Sequence, residues 1–229
     1  MKIAIHQPQY LPWIPYFLKI RECDYFVFLD TVDFQKNGLH NRNKIKTAQG
    51  ELWLTVPVKQ GLGQKIKDIS IDNIKNWERK HWQTIIHSYS KALAFKTYKD
   101  ELEEFYSKQW NGLSQMNMEL STIIMRWLKI DTPIIRSSEL DVNGTASDLI
   151  LDICKKTEAT EYLSGIGGKN YLVQTDFNEF NISIEYQNVI SPLGYPQCHP
   201  KTGFINNLSA LDIILNCGDD WDDYLVKNA

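Results

Sequence analysis

The chain has 229 residues, enough for one large domain or two small ones. Its formal net charge of -3 at pH 7 gives no basic surface of the kind that binds DNA or RNA. The sequence has no apolar run of the roughly 18 residues that cross a membrane, and its four cysteines form no CxxC pair. We therefore expect a reduced, cytoplasmic protein that binds neither nucleic acid nor membrane, and its cysteines indicate no zinc site.

The amino-terminal stretch, residues 1–44, predicts a strand, a polar turn, a short helix, a second strand and a polar loop. The apolar run at residues 3–5 ends at His6, and the prolines that follow exclude a regular strand. Pro15 suits the first turn of a helix over residues 15–21. Residues 25–29 form a continuous apolar run, typical of a strand buried on both faces. Together these elements predict one βαβ unit.

Strands and helices continue to alternate along the rest of the chain. Further strands are predicted at residues 52–58, 66–71, 133–136, 161–164 and 182–186. Helices are predicted at residues 76–91, 98–110 and 112–129, from Thr145 or Ser147 through Cys154, and at residues 208–216. This order predicts an α/β fold: a Rossmann-like, mostly parallel sheet with a helical insertion in the middle third. We expect a single domain over residues 1–229, with a helical subdomain at about residues 76–129.

Polar side chains follow the first two strands. Open α/β sheets bind ligands beyond the carboxyl ends of their strands, so His6, Gln7, Asp30 and Asp33 are expected to share one hollow. His6 can act as a general base or donate to a phosphate, or it can be a structural histidine bonded to a carbonyl. The two carboxylates can bind a metal, a ribose or a substrate amine, or they can be turn and capping acids. The sequence predicts His6, Asp30 and Asp33 as catalytic residues.

Two further stretches have the chemistry to hold phosphates. One combines amides with a guanidinium group, and the other is a glycine-rich loop that lets the backbone approach a ligand. A solvated loop and a plain turn are the respective alternatives. The loop at residues 59–65 has glycines and lysines but lacks P-loop spacing. The residues predicted to contact substrate are Asn41, Arg42, Asn43, Lys44, Ser164, Gly165 and Lys169.

Aromatic residues supply the remaining predicted contacts. Tyr10 and Trp13 can stack on a base or a sugar, although burial in the core is the commoner role of aromatic side chains. His81 lies on an apolar helix face, where it contacts substrate or is a satisfied buried histidine. Tyr195 and Gln197 belong to a proline-containing loop that can close over the site.

Several short motifs run from one end of the chain to the other. They are Ile5-His6-Gln7-Pro8-Gln9-Tyr10-Leu11-Pro12-Trp13, Lys19-Ile20, Asn41-Arg42-Asn43, Leu54-Thr55-Val56-Pro57-Val58, Lys80-His81-Trp82, Tyr162-Leu163-Ser164-Gly165, Tyr195-Pro196-Gln197 and Asn216-Cys217-Gly218. In these motifs the chain resembles the WbqC-like family, and the opening motif is the most specific. Pro15 departs from the pattern, since the family commonly has glycine there. The resemblance implies work on sugar-nucleotide or amino-sugar intermediates of O-antigen and other surface polysaccharides, and it supplies no established catalytic residue.

A remoter likeness, at the level of the fold, is to the nucleotidyltransferase-type Rossmann fold. There the first strand leads into a polar, proline-containing turn and a helix that opens with an HxGH motif. Residues 8–16 have this layout and lack both histidines. The adenylylation chemistry that uses those histidines is therefore not implied.

These observations favour a transferase that modifies an amino sugar carried on a nucleotide, by N-acylation or aminoacylation. Its expected partners are the nucleotide-linked sugar and an acyl or aminoacyl donor, and a homo-oligomer is compatible with the sequence. No residue pattern identifies a cofactor. Two alternatives remain: a non-catalytic binding or scaffold protein of the same pathway, and a nucleotidyltransferase-like enzyme.

Overall fold

The structure, a computed structural model, describes residues 1–59 and 63–225. Part of the loop predicted at residues 59–65 thus lies outside the described residues. The strands are β1 (Lys2–His6), β2 (Tyr25–Phe28), β3 (Arg42–Thr47), β4 (Gly50–Thr55), β5 (Ile134–Arg136), β6 (Glu161–Ser164) and β7 (Ser183–Tyr186). The α-helices are α1 (Ile14–Arg21), α2 (Trp77–Tyr89), α3 (Phe95–Ser107), α4 (Leu113–Trp127), α5 (Ala146–Lys156), α6 (Gln174–Glu179) and α7 (Ala210–Cys217).

The predicted βαβ unit opens the fold. β1 and β2 pair in parallel, with Ile3 opposite Tyr25 and His6 opposite Phe28. α1 connects them and has Pro15 in its first turn, where a missing backbone N–H breaks no helical hydrogen bond. The prediction for residues 1–29 is therefore confirmed.

The main sheet has five strands in the order β5-β2-β1-β6-β7, and every neighbouring pair is parallel. The chain builds outward from β1 through β2 to β5, then returns to the other side of β1 with β6 and β7. The direction of building reverses between β1 and β6, which makes this the topological switch point of the sheet. The predicted Rossmann-like, mostly parallel α/β fold is confirmed.

Both faces of the sheet are covered, as a parallel sheet requires. Alternate residues of a strand point to opposite faces. Ile3, Ile5 and Val27 therefore join the apolar side chains of α5 in one core. Ala4 and Phe26 face the larger core, to which α1, α2, α3, α4 and α7 contribute.

Three helices, α2 to α4, follow β4 and precede β5, which confirms the helical insertion in the middle third. Each forms because apolar residues recur at three- and four-residue spacing and face the larger core. The final helix α7 begins where the Ser209 hydroxyl accepts a hydrogen bond from the Leu211 N–H at 3.2 Å. It ends at Gly218, whose φ of 61° is strained for any residue with a Cβ.

Two local predictions are wrong. Residues 42–44, which belong to the predicted polar loop, open β3, and this strand pairs antiparallel with β4 in a separate two-stranded ribbon. The strand escaped prediction because lysine and asparagine replace the apolar residues of its pattern. Residues 66–71, predicted as a strand, begin with a short 3-10 helix at Ile66–Asp68. Only Ser70 and Ile71 make isolated strand-like bridges there.

Candidate functional site

A cavity of about 270 Å³ opens at the carboxyl ends of β1 and β6. It lies at the switch point of the sheet, where open α/β sheets bind ligands. We call it the switch-point cavity. It is lined by Ile5, His6, Gln7, Lys19, Leu29, Ile150, Tyr162, Ser164, Gly165, Gly167, Gly168 and Tyr171. Four residues predicted from the sequence, His6, Gln7, Ser164 and Gly165, therefore come together here.

His6 brings an imidazole with an available nitrogen to this cavity. Its Nδ1 lies 3.1 Å from the Gln7 carbonyl oxygen, and a carbonyl only accepts, so Nδ1 carries the proton. The lone pair is then on Nε2. Burial first, and the charge of Lys19 second, lower the pKa of His6 to about 3. The ring is thus neutral at physiological pH and can accept a hydrogen bond at Nε2.

Gln7 is held by a second histidine. The Gln35 N–H donates to His40 Nδ1 at 3.3 Å, so the ring proton sits on Nε2, which donates to Gln7 Oε1 at 2.8 Å. Burial lowers the pKa of His40 to about 4, which favours this neutral tautomer. Because the amide oxygen of Gln7 is occupied, its Nε2 group, with two donor hydrogens, is what Gln7 offers to a ligand.

Lys19 was not among the predicted site residues. It lies on α1 with 2% of its surface exposed, and it lines the cavity. Its Nζ donates to the Ile5 carbonyl oxygen at 2.8 Å. Burial lowers the pKa of Lys19 to about 7. The sequence carried a signal, since Lys19 stands within the mainly apolar run of this helix. The structure shows that residues 14–20 are all buried.

The opposite wall is built by Ser164 and the glycines that follow β6. A Cβ on Gly168 would lie 2.1 Å from Ser164 Oγ and 2.8 Å from Leu172 Cδ1, so this position requires glycine. Gly167, in contrast, has open space around its Cβ position. Lys169 does not line the cavity, because its Nζ lies 5.0 Å from the centre of the Tyr186 ring.

The two predicted catalytic carboxylates lie outside the cavity lining. Asp30 is 1% exposed and accepts hydrogen bonds from Ser137 Oγ at 3.1 Å, from the Ser138 N–H at 3.0 Å and from Ser138 Oγ at 2.9 Å. It joins the end of β2 to the chain after β5. Asp33 is exposed and pairs with Lys65 at 2.7 Å. The expected common hollow of imidazole and carboxylates is therefore wrong, because the turn after Leu29 carries both acids away.

The two asparagines predicted to contact substrate stabilise the backbone instead. Asn41 Nδ2 donates to the Val56 carbonyl oxygen at 2.8 Å, and Asn43 Nδ2 donates to the Leu11 carbonyl oxygen at 2.7 Å. Both asparagines are buried. Leu11 has a φ of 49°, a strained conformation, and the bond from Asn43 helps to hold it.

The two cations of the same motif lie on the β3–β4 ribbon. The Arg42 guanidinium lies 4.5 Å from the centre of the Trp53 ring. Lys44 Nζ pairs with Glu51 at 2.8 Å. Both cations are therefore already engaged outside the cavity lining.

Tyr10 and His81 meet in a separate buried cluster. Tyr10 Oη lies 2.8 Å from His81 Nδ1 and 2.7 Å from Tyr106 Oη. Burial lowers the pKa of His81 to about 4, partly offset by a hydrogen bond to the backbone of Thr55. Tyr10 is 0% exposed, so its ring is not available for stacking. Trp13, the other predicted stacking residue, lines a small cleft away from the switch-point cavity.

Tyr195 and Gln197 bind a buried carboxylate. Asp212 on α7 accepts hydrogen bonds from Tyr89 Oη at 2.7 Å, Tyr195 Oη at 2.7 Å and Gln197 Nε2 at 2.8 Å. Gln197 Oε1 in turn accepts from the buried Lys46 Nζ at 3.0 Å. We call these five residues the Asp212 network. It attaches the loop before α7 to the helix and to β3, so in this structure the loop has a structural role.

Within residues 1–59 and 63–225, no three His, Cys, Asp or Glu side chains group closely enough to hold a metal ion. No helix in the same residues combines the length and apolar character that crossing a bilayer requires. The four cysteines are free thiols.

Comparisons with known proteins cover nearly the whole chain. A family model described as the WbqC-like protein family matches residues 7–224. The chain is 34% identical over 227 residues to the uncharacterized protein Rv1507c of Mycobacterium tuberculosis, covering 98% of this chain and 97% of that relative. No solved structure matches.

Proposed function

We propose that this chain, which belongs to the WbqC-like protein family, is a transferase that modifies a nucleotide-linked amino sugar in the switch-point cavity. The family match confirms the resemblance carried by the sequence motifs. The observation that supports the reaction is the position of His6: a neutral imidazole with its Nε2 lone pair available, at the switch point of a parallel sheet. A neutral imidazole in that position can take the proton from a bound amine once attack on the donor has made its nitrogen positively charged and therefore acidic.

The proposed reaction is acyl transfer to the sugar amine. The amine nitrogen attacks the carbonyl carbon of an acyl or aminoacyl donor, and a new C–N bond forms. The bond between that carbon and the leaving group breaks, and the leaving group keeps the electron pair. His6 Nε2 accepts the proton that the nitrogen loses, and the Gln7 amide donates to a sugar hydroxyl or to the carbonyl oxygen.

The size of the cavity limits which part of the substrate it holds. At about 270 Å³ it is slightly smaller than the range of roughly 300–1,000 Å³ typical of small-molecule sites. The sugar and the reacting carbonyl therefore occupy the cavity, and the nucleotide extends out of it. Tyr171 lines the cavity and is 44% exposed, so it offers an aromatic face on which the base can stack.

The first test is binding and turnover. Thermal shift with UDP- and dTDP-linked amino hexoses should stabilise the protein, by about 2.7 kcal/mol at one hundred times the dissociation constant. With acyl-coenzyme A and aminoacyl donors, mass spectrometry should detect the acylated sugar. His6→Ala should then reduce turnover by roughly 10²- to 10⁴-fold without unfolding the protein.

Asp33→Asn is the matched control, because Asp33 is exposed and paired with Lys65 outside the cavity lining. It should keep the wild-type rate. Wild-type turnover in His6→Ala would exclude the proposed base. No shift with any nucleotide sugar, together with co-purification of other enzymes of the pathway, would favour the non-catalytic scaffold.

A further inference from the structure

Lys19 is a buried cation without a neighbouring anion. It is 2% exposed, and its Nζ donates one hydrogen bond, to the Ile5 carbonyl oxygen at 2.8 Å. In the part of the chain that the structure describes, no carboxylate lies within salt-bridge distance of that nitrogen. Lysine is almost never fully buried unless it is paired, and an ammonium has three donor hydrogens. Two of them are therefore left for a ligand.

The titratable groups around Lys19 supply no negative charge at neutral pH. They are His6 on β1, Cys23 just after α1, Tyr162 on β6 and Tyr171 in the loop beyond β6. Burial raises the pKa of Cys23 to about 11 and raises the pKa values of both tyrosines above their usual range. Burial also keeps His6 neutral by lowering its pKa. The cavity therefore combines one cation with neutral side chains.

We propose that Lys19 binds an oxyanion of the ligand, a phosphate or a carboxylate, in the switch-point cavity, with the Gln7 amide as a second donor. This proposal rests on the proposed function only in placing a ligand in the same cavity, and it requires no acyl transfer. It also replaces the predicted phosphate contacts of Arg42, Lys44 and Lys169, which the structure places outside the cavity lining.

Anion binding at Lys19 has a distinctive proton linkage. With a pKa of about 7 in the empty cavity, Lys19 is about half protonated at pH 7. A bound anion favours the charged form and raises this pKa. Binding therefore takes up a proton, and at pH 8 the uptake approaches one. Above pH 7 the affinity should fall by about tenfold per pH unit, until the pH reaches the pKa of the bound state.

Isothermal titration calorimetry at pH 8, in buffers that differ in ionisation enthalpy, measures both affinity and proton uptake. The probes are inorganic phosphate and pyrophosphate in one arm, and acetate and glycolate in the other. The arm that binds identifies the source of the oxyanion. Lys19→Met should weaken that binding roughly 10- to 100-fold, as expected for a lost hydrogen bond to a charged group. It should also abolish the proton uptake.

Lys169→Met is the matched control, because this lysine follows the same glycines but contacts Tyr186 outside the cavity lining. It should leave affinity and uptake unchanged. The proposal is overturned if neither arm binds, or if Lys19→Met binds as the wild type does. Proton uptake by the wild type that Lys169→Met retains supports it even should Lys19→Met fail to fold. Anion binding that survives in a protein without transferase turnover would separate the two proposals.

Discussion

The Asp212 network and the switch-point cavity both bring polar side chains together in the interior, but they differ in how their hydrogen bonds are satisfied. Asp212 accepts three hydrogen bonds at 2.7 to 2.8 Å from side chains of the network. In the cavity, His6 Nε2 has no donor among the described residues, and two ammonium hydrogens of Lys19 have no acceptor there. Both side chains line an open cavity, so a ligand placed there can supply the missing partners.

The largest loss of stability should follow a substitution in the Asp212 network. Asp212→Ala leaves the hydroxyls of Tyr89 and Tyr195 and the Gln197 amide without their acceptor in a buried site. We expect it to lower the free energy of unfolding by about 3–5 kcal/mol, measured by urea denaturation. Lys19→Met should cost much less, because it removes an unpaired buried cation. Equal losses in the two variants would contradict the difference between the satisfied network and the unsatisfied cavity.

The next largest effect is the pH dependence of stability that the buried His81 causes. The unfolded chain protonates His81 near pH 6.5, but the folded protein does so only near pH 4, because the site is buried. The stability that neutral His81 provides is therefore complete above pH 6.5 and is lost as the pH falls from 6.5 to 4. The loss is about 3 kcal/mol, and urea denaturation at several pH values measures it.

His81→Gln should reduce this acid-induced loss. His87→Gln is the matched control, since His87 lies on the same helix and its side chain is exposed. The pKa values of His6 and His40 are also lowered in the folded protein, so both variants will keep part of the dependence of stability on pH. An unchanged slope in His81→Gln would contradict the buried, neutral state of that ring.

The smallest loss of stability should follow a substitution of a glycine in the wall of the switch-point cavity. Gly168→Ala should lower the free energy of unfolding by about 1–3 kcal/mol, because its Cβ would overlap Ser164 Oγ. Thermal melting measures the change. Gly167→Ala has room for the methyl group and should stay within about 0.5 kcal/mol of wild type.

The double variant Ser164→Ala, Gly168→Ala sharpens the same test. It should recover part of the loss, because the closest contact is removed while Leu172 still lies 2.8 Å from the new Cβ. No recovery would mean that the contact with Leu172, and not the Ser164 hydroxyl, sets the requirement for glycine.

Much of the fold was predictable because the signals for it are local. The apolar run at residues 25–29 indicated a doubly buried strand, and four-residue spacing indicated the helices at residues 76–129. The strand β3 was not predictable in the same way, because Asn43 and Lys46 are buried through partners distant in the chain. Their burial depends on Leu11, Gln197 and the backbone of Gly203.

The candidate site was predictable only in part. Parallel strands end at one edge, so His6 and Gln7 could be placed there from the sequence. The same reasoning placed Asp30 beside them, but the strand pattern does not determine how a side chain turns after the strand ends. Asp30 instead meets Ser137 and Ser138, more than one hundred positions away.

The family, the α/β class and the approximate positions of the helices follow from the amino-acid sequence alone, since these depend on motifs and on the period of apolar residues. Which polar residues face the cavity depends on contacts between distant parts of the chain. The order of the strands places β6 beside β1, and this pairing brings Ser164 and the glycines opposite His6 and Lys19. Hydrogen-bond satisfaction depends on such distant neighbours, which periodicity does not record.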